Sequence, residues 1–160
     1  MLDMPQLPLY YSRMNNSGVG AQKADESSDT TIFSLLHAAH ALEDKLEETL
    51  NRVGLSTPKY SVLNELSSAG KPLSLSDLAA RLSCVRSNMT QLVDRLEGDG
   101  LVKRVDDPTD RRGVKAAITE EGQARHAAGA AEVARLHEDF ATSVGEEDKA
   151  ALRRMLTALG

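Results

Sequence analysis

A mainly α fold carrying one small β-hairpin is what the amino-acid sequence predicts, and three observations predict it. Apolar residues recur at spacings of three and four over most of residues 31–159. Two short strand-like stretches, residues 101–105 and 114–118, flank a charged, turn-rich segment, 106–113. The chain has 160 residues, room for one domain or a compact domain with a docking extension.

Residues 1–30 are rich in Ser, Asn, Asp and Gly, include Pro5 and Pro8, and lack periodicity. They read as a flexible arm. From Thr31, the residues Leu35, Ala39, Leu42, Leu46, Leu50 and Val53 line one face of a helix, which Gly54 ends. The acidic run 43–48 on its other side is expected to be solvated. A second helix opens at Thr57-Pro58, with Pro in the first helical position, and ends at Ala69-Gly70. Its apolar set is Tyr60, Val62, Leu63 and Leu66.

Ser74 can cap a short third helix, with Asp77 in the capping-box place. A turn at Ser83-Cys84 leads to a fourth helix over 85–99, with Val85, Met89, Leu92, Val93 and Leu96 as its expected buried stripe. Valine cannot cap a helix, so either Ser83 does so or the helix starts a residue later. In the hairpin that follows, Asp107-Pro108 sets the turn, because Pro restricts its own φ and the backbone before it. Thr119 opens a long helix to about Val144, with Val133, Leu136 and Phe140 on one face. Gly145 breaks it before a last helix bearing Leu152, Met155, Leu156 and Leu159.

Two short helices, a tight turn and a charged hairpin make a winged helix-turn-helix, placed at residues 57–118. The flanking segments 31–56 and 119–160 carry more apolar stripe than so small a core can cover. They are expected to form a helical dimerisation region.

Composition narrows the function. Hydrophobic residues are 41% and charged residues 27%, an ordinary globular balance. Aromatics are only 3%, which disfavours modules that stack single-stranded bases on aromatic platforms. A single cysteine excludes an intramolecular disulfide and an all-Cys zinc site. No stretch is long and apolar enough for a membrane span, and an early Asp and two Pro stand where a secretory signal would need basic and apolar runs. A soluble, cytoplasmic chain is therefore expected. Enzyme signatures such as GxSxG, a phosphate-binding Gly loop or HExxH are missing from the sequence. Net charge is −5, yet residues 71–118 hold nine Lys/Arg against seven Asp/Glu, with ten against seventeen elsewhere. Nucleic-acid binding follows the local face more than the total.

That face lies on the fourth helix. Opposite its apolar stripe stand Arg86, Ser87, Asn88, Thr90, Gln91 and Arg95. Asn and Gln can pair bidentately with adenine, Arg with guanine, and Ser or Thr with bases or phosphates. Arg95 could instead pair with Asp94, Glu97 or Asp99.

The run LSLSDLAARLSCVRSNMTQLVDRLEGDGLVKRVDDPTDRRGVKAAITEEG resembles the core of the MarR (multiple antibiotic resistance regulator) family, above all in TQLVDRLEGDGLVKR and DPTDRR. The likeness covers residues 57–122 closely. It implies a homodimeric regulator of transcription, most often a repressor, that binds a pseudo-palindromic double-stranded DNA operator and is released by a small-molecule effector or by oxidation. Carried onto this chain, it implies that Arg86, Ser87, Asn88, Thr90 and Gln91 touch bases or phosphates and that Ser74 and Ser76 meet phosphate. Arg111 or Arg112 would form the wing contact, with Asp110 bracing the wing.

Other readings stay beside this one. Cys84 could sense oxidants or pack as a small hydrophobe. His37 and His40 could bind metal on one helix face, but no further ligands complete a set, so neither metal nor cofactor is expected. His37 and Tyr60 could line an effector cavity, or Tyr60 could be plain core. A winged helix used only for protein interaction or dimerisation, without DNA, is the alternative function. It would have no need of paired Arg at the hairpin tip.

Overall fold

A computed structural model describes residues 31–107 and 110–159, with the backbone alone of Thr31, Asp110, Arg111, Arg112 and Leu159. The chain divides into two units, residues 1–36 and 37–160. The first enters the description only as the opening of helix α1.

The elements follow as α1 (Thr31–Asn51), α2 (Thr57–Ala69), β1 (Leu73–Ser74), α3 (Leu75–Arg81), α4 (Arg86–Gly98), β2 (Val102–Asp107), β3 (Asp110–Ile118), α5 (Glu120–Ser143) and α6 (Glu146–Leu159). The three strands form one antiparallel sheet in the order β1-β3-β2. This is the mainly α, winged helix-turn-helix architecture that the periodicity predicts. Strand β1 is an addition to the expected two-stranded hairpin. It pairs Leu73 with Ala116 and Ser74 with Lys115, and two residues are too few for alternation to show in sequence. The hairpin is also longer than expected. Pairing continues to Asp107 and Asp110 through an irregularity at Asp106/Asp107, so residues that read as turn belong to strands. Pro108 and Thr109, at its tip, lie outside the described residues.

The core is assembled from several elements of the second unit. Val62, Leu63 and Leu66 of α2 meet Leu78 of α3, Met89, Val93 and Leu96 of α4, and Leu73, Val102 and Ala116 of the sheet, all buried. Leu50 and Leu55 belong to the same buried cluster. Helix α2 begins with Pro58 near its start and Ser56 at the N-cap, but Ser56 makes no side-chain cap. Instead Glu47 of α1 accepts the Thr57 N–H at 2.6 Å. The acidic run on α1 is thus not wholly solvated, because Glu47 turns inward to serve a neighbouring helix end.

The α3–α4 turn decides where α4 starts. Cys84 N–H donates to Ala79 O at 3.0 Å and Ser83 N–H to Ala80 O at 3.3 Å, the paired bonds of a Schellman ending. Ser83 therefore closes α3 at φ +50° and cannot cap α4. Helix α4 starts at Arg86 with Val85 at its N-cap. Val85 is 61% exposed, so it leaves the expected buried stripe, which reduces to Met89, Val93 and Leu96 with Leu92 half-buried.

Helix α5 is fastened to the core by close approach. Thr119 Oγ1 accepts the Gly122 N–H at 3.0 Å and donates to Gly100 O at 2.7 Å. A Cβ on Gly122 would sit 2.0 Å from the Leu101 carbonyl oxygen and 2.8 Å from Ile118 Cγ1. About two turns along, a Cβ on Gly129 would stand 2.9 Å from the Tyr60 ring. The two glycines let α5 lie against backbone and ring where no side chain fits.

Two outcomes are expected in urea or thermal melts. Gly122→Ala should lose at least ~2 kcal/mol, since the obstacle is backbone that cannot rotate away. Ser83→Gly should gain about 0.5–1 kcal/mol, because glycine removes the left-handed strain at a small cost in unfolded-state entropy.

Candidate nucleic-acid interface

Burial of one side of α4 dictates what its other side presents. With Met89, Val93 and Leu96 in the core, Arg86, Ser87, Asn88, Thr90, Gln91 and Arg95 are all exposed. The first backbone bond of the helix runs from Met89 N–H to Val85 O at 3.2 Å. The N–H groups of Arg86, Ser87 and Asn88 thus have no partner further back in the helix. No acidic residue stands in the first turn. The positive end of the helix dipole is left uncancelled, which favours an anion such as phosphate. Thr90 Oγ1 donates to Arg86 O at 3.1 Å, so its hydroxyl can only accept from a ligand.

The acids of α4 are engaged elsewhere. Arg104 of β2 bridges Asp94 and Glu97, and its own N–H donates to Glu97 Oε1 at 3.1 Å. These carboxylates and the hydrogen bonds they accept raise the Arg104 pKa above its ordinary value, against a smaller opposing effect of burial. Lys59 of α2 holds Asp99 at 2.5 Å. Arg95, although close in sequence to these acids, belongs to none of these pairs. The bridges tie the start of the hairpin to α4 and mask negative charge beside the exposed polar face.

Ser76 is exposed at the start of α3. Ser74 is a helix cap first: its Oγ accepts the Asp77 N–H at 3.1 Å and donates to the Asp77 carboxylate at 2.8 Å. On the hairpin, Lys115 pairs with Asp107 at 3.0 Å, a contact the sequence reading missed. The side chains of Asp110, Arg111 and Arg112 lie outside the described residues, although their backbone belongs to β3.

The two expected effector residues sit in different surroundings. Tyr60 is half-buried and stacks on His126 of α5, with ring centres 5.5 Å apart and planes 15° from parallel. His126 Nε2 lies 3.2 Å from Asn64 Oδ1. Burial raises the Tyr60 pKa and lowers that of His126. His37 is exposed on α1. An open groove of about 380 Å³, lined by Lys71, Leu73, Asp77, Arg81 and Lys115 among others, includes neither Tyr60 nor His37. The sequence shows His126 only as a histidine remote from the others; its pairing with Asn64 was not legible because the two are 62 positions apart and the α2–α5 packing joins them. Cys84 is half-buried against the core. Among the described residues no three His, Cys, Asp or Glu cluster as a metal site, and no helix is long and apolar enough to cross a membrane.

Fold and exposed helix face together define the class of structure: a winged helix-turn-helix with one polar face of α4 turned outward. Residues 55–114 match the MarR family, and through this core the chain is similar to its members. It is 36% identical over 88 residues to the HTH-type transcriptional regulator PrsX of Escherichia coli, a match covering 54% of this chain and 53% of PrsX. The chain spans about half the length of such curated relatives. Among solved structures, CouR from Rhodococcus jostii RHA1 bound to p-coumaroyl-CoA is 29% identical with a TM-score of 0.69, covering 82% of this chain and 92% of CouR. A mutant MarR from Escherichia coli complexed with operator DNA is 25% identical with a TM-score of 0.71, covering 81% and 93% of the two chains.

The His126 environment makes a pH dependence. Its pKa is lowered in the folded state, so the unfolded chain takes up a proton first as pH falls below about 6.5. The stability contribution is complete above that value and is lost as pH descends toward the lowered folded pKa. Melting temperatures measured from about pH 7.5 down to 5 should fall more steeply for the parent than for His126→Gln.

Proposed function

We propose that this chain is a homodimeric, ligand-responsive repressor that binds a pseudo-palindromic double-stranded DNA operator. The observation that carries the reading is the exposed face of α4. It offers amide, hydroxyl and guanidinium groups at the start of a helix whose own acids, Asp94 and Glu97, are bridged to Arg104, with Asp99 just past its end held by Lys59. Its N-terminal turn would enter the major groove, where Asn88 and Gln91 suit adenine edges and Arg86 a guanine. Ser87, Thr90, Arg95, Ser76 and Ser74 would meet bases or phosphates. Arg111 or Arg112 would reach a minor groove, with Asp110 bracing the hairpin. The MarR relative held on operator DNA supports this docking.

Dimerisation is supported by apolar surface that the single chain leaves bare. Leu42 of α1 is 46% exposed, and Met155 and Leu156 of α6 are 63% and 51% exposed. In this reading residues 31–56 and 119–160 form the dimer region, 57–118 the DNA-binding domain and 1–30 an arm. An effector is supported by the ligand carried by CouR. Here Tyr60 on the α2–α5 seam is the proposed effector contact, with His37 of α1 as the second residue. An effector that prefers the dimer spacing unable to span two successive grooves lowers DNA affinity by the same coupling energy, ~1–3 kcal/mol in typical cases.

Duplexes enriched from a random library by the purified full chain should show two half-sites about one helical turn apart. Asn88→Ala and Gln91→Ala should each cost ~1–3 kcal/mol and relax preference at one position per half-site. Arg111→Ala with Arg112→Ala should weaken binding to most sequences alike and flatten the salt dependence by about one unit per lost phosphate contact. Gel-shift titrations at several salt concentrations read both effects. Unchanged affinity in all these variants would bring forward the protein-interaction reading.

A further inference from the structure

Val85 is out of place on two counts. It holds the N-cap of α4 with extended backbone, φ −73° and ψ 145°, and gives the helix no side-chain cap. Ser, Thr, Asn or Asp at this position would satisfy an orphan N–H and stabilise the helix. Ser83 cannot supply the missing cap, because it closes α3. Val85 is also 61% exposed, whereas its neighbours Leu82 and Cys84 pack on the core. Within residues 55–118, the only other large apolar side chain described as exposed is Val114, on the hairpin. A β-branched apolar residue thus stands bare at the first position of the exposed polar face, directly before Arg86, Ser87 and Asn88.

An apolar group there has one partner of matching chemistry in a major groove. The base edges present donors and acceptors, and the thymine 5-methyl is their apolar feature. We infer that Val85 is a specificity-determining residue that packs its methyl groups on the 5-methyl of a thymine, once per half-site. The inference rests on the DNA-binding reading of α4. Two consequences follow from having valine here. It tells thymine from cytosine, which lacks the methyl and offers an amino donor that valine cannot accept from. It also leaves the N–H groups at the start of α4 uncapped, and so free to take a phosphate.

The test uses the duplex enriched by the full chain, with its thymines replaced one at a time by deoxyuridine. That change removes the methyl and keeps the hydrogen-bonding edge. The parent should lose about fourfold in affinity for each methyl removed at one position per half-site, the size expected of one buried methylene-sized group. Val85→Ala should bind the parent duplex more weakly and be indifferent to deoxyuridine at that position. Val85→Ser, which restores a cap, should melt above the parent and share this indifference, showing that the fold is intact. If no thymine is sensitive, or if Val85→Ala is as sensitive as the parent, Val85 does not read a methyl. If no duplex is enriched at all, the DNA-binding reading itself fails, and this inference with it.

Discussion

Burial of Met89, Val93 and Leu96 against α2 and the sheet is the constraint on which the rest of the structure depends. A helix with one buried stripe has no freedom to rotate about its axis. Turning α4 by one residue would pull apolar groups from the core at ~0.8 kcal/mol per methylene exposed. The same packing that stabilises the domain therefore selects which side chains face outward. Stability and the composition of the exposed face are one property here, set by the spacing of three apolar residues.

Charge is arranged locally and not by total. The chain is net acidic, yet the carboxylates nearest the exposed face are held by Arg104 and Lys59. These bridges are partly exposed and add little stability by themselves. Their effect is positional. They join β2 to α4 and keep Asp94, Glu97 and Asp99 from presenting bare negative charge. Sequence proximity suggested Arg95 as the partner of these acids. On a helix, residues one apart diverge, whereas a strand packed alongside can reach two acids three apart on one face.

The helices outside the winged core couple to it through contact at very short range. Gly122 and Gly129 bring α5 against the Leu101 carbonyl and the Tyr60 ring. Arg125 adds a hydrogen bond to Val53 O at 3.3 Å. A seam so close has little room to adjust, so any change in the lie of α5 must move α2 or the start of β2. That is the physical route by which a ligand at the Tyr60–His126 stack would reach the α4 face, within the proposed reading.

Sequence by itself determined the periodic elements. The helices, the Ser74 cap, the opening of α5 at Thr119, the Pro start of α2, the core stripe apart from Val85 and the place of the hairpin were legible, because each depends on neighbours within about one or two turns of chain. The exposed face of α4 was legible for the same reason, as the complement of its buried stripe. Tertiary structure alone decided what depends on contacts distant in sequence. Strand β1 exists only because β3 lies beside it. Glu47 caps a helix ten residues away, Arg104 takes the acids of α4, and His126 meets Tyr60 and Asn64 across a helix seam. Val85 marks the boundary between the two. Its spacing matched the buried stripe, but the Schellman ending at Ser83 moved the helix start past it and turned it to solvent. Periodicity describes a helix once it has begun, and where it begins was settled by how the preceding one ends.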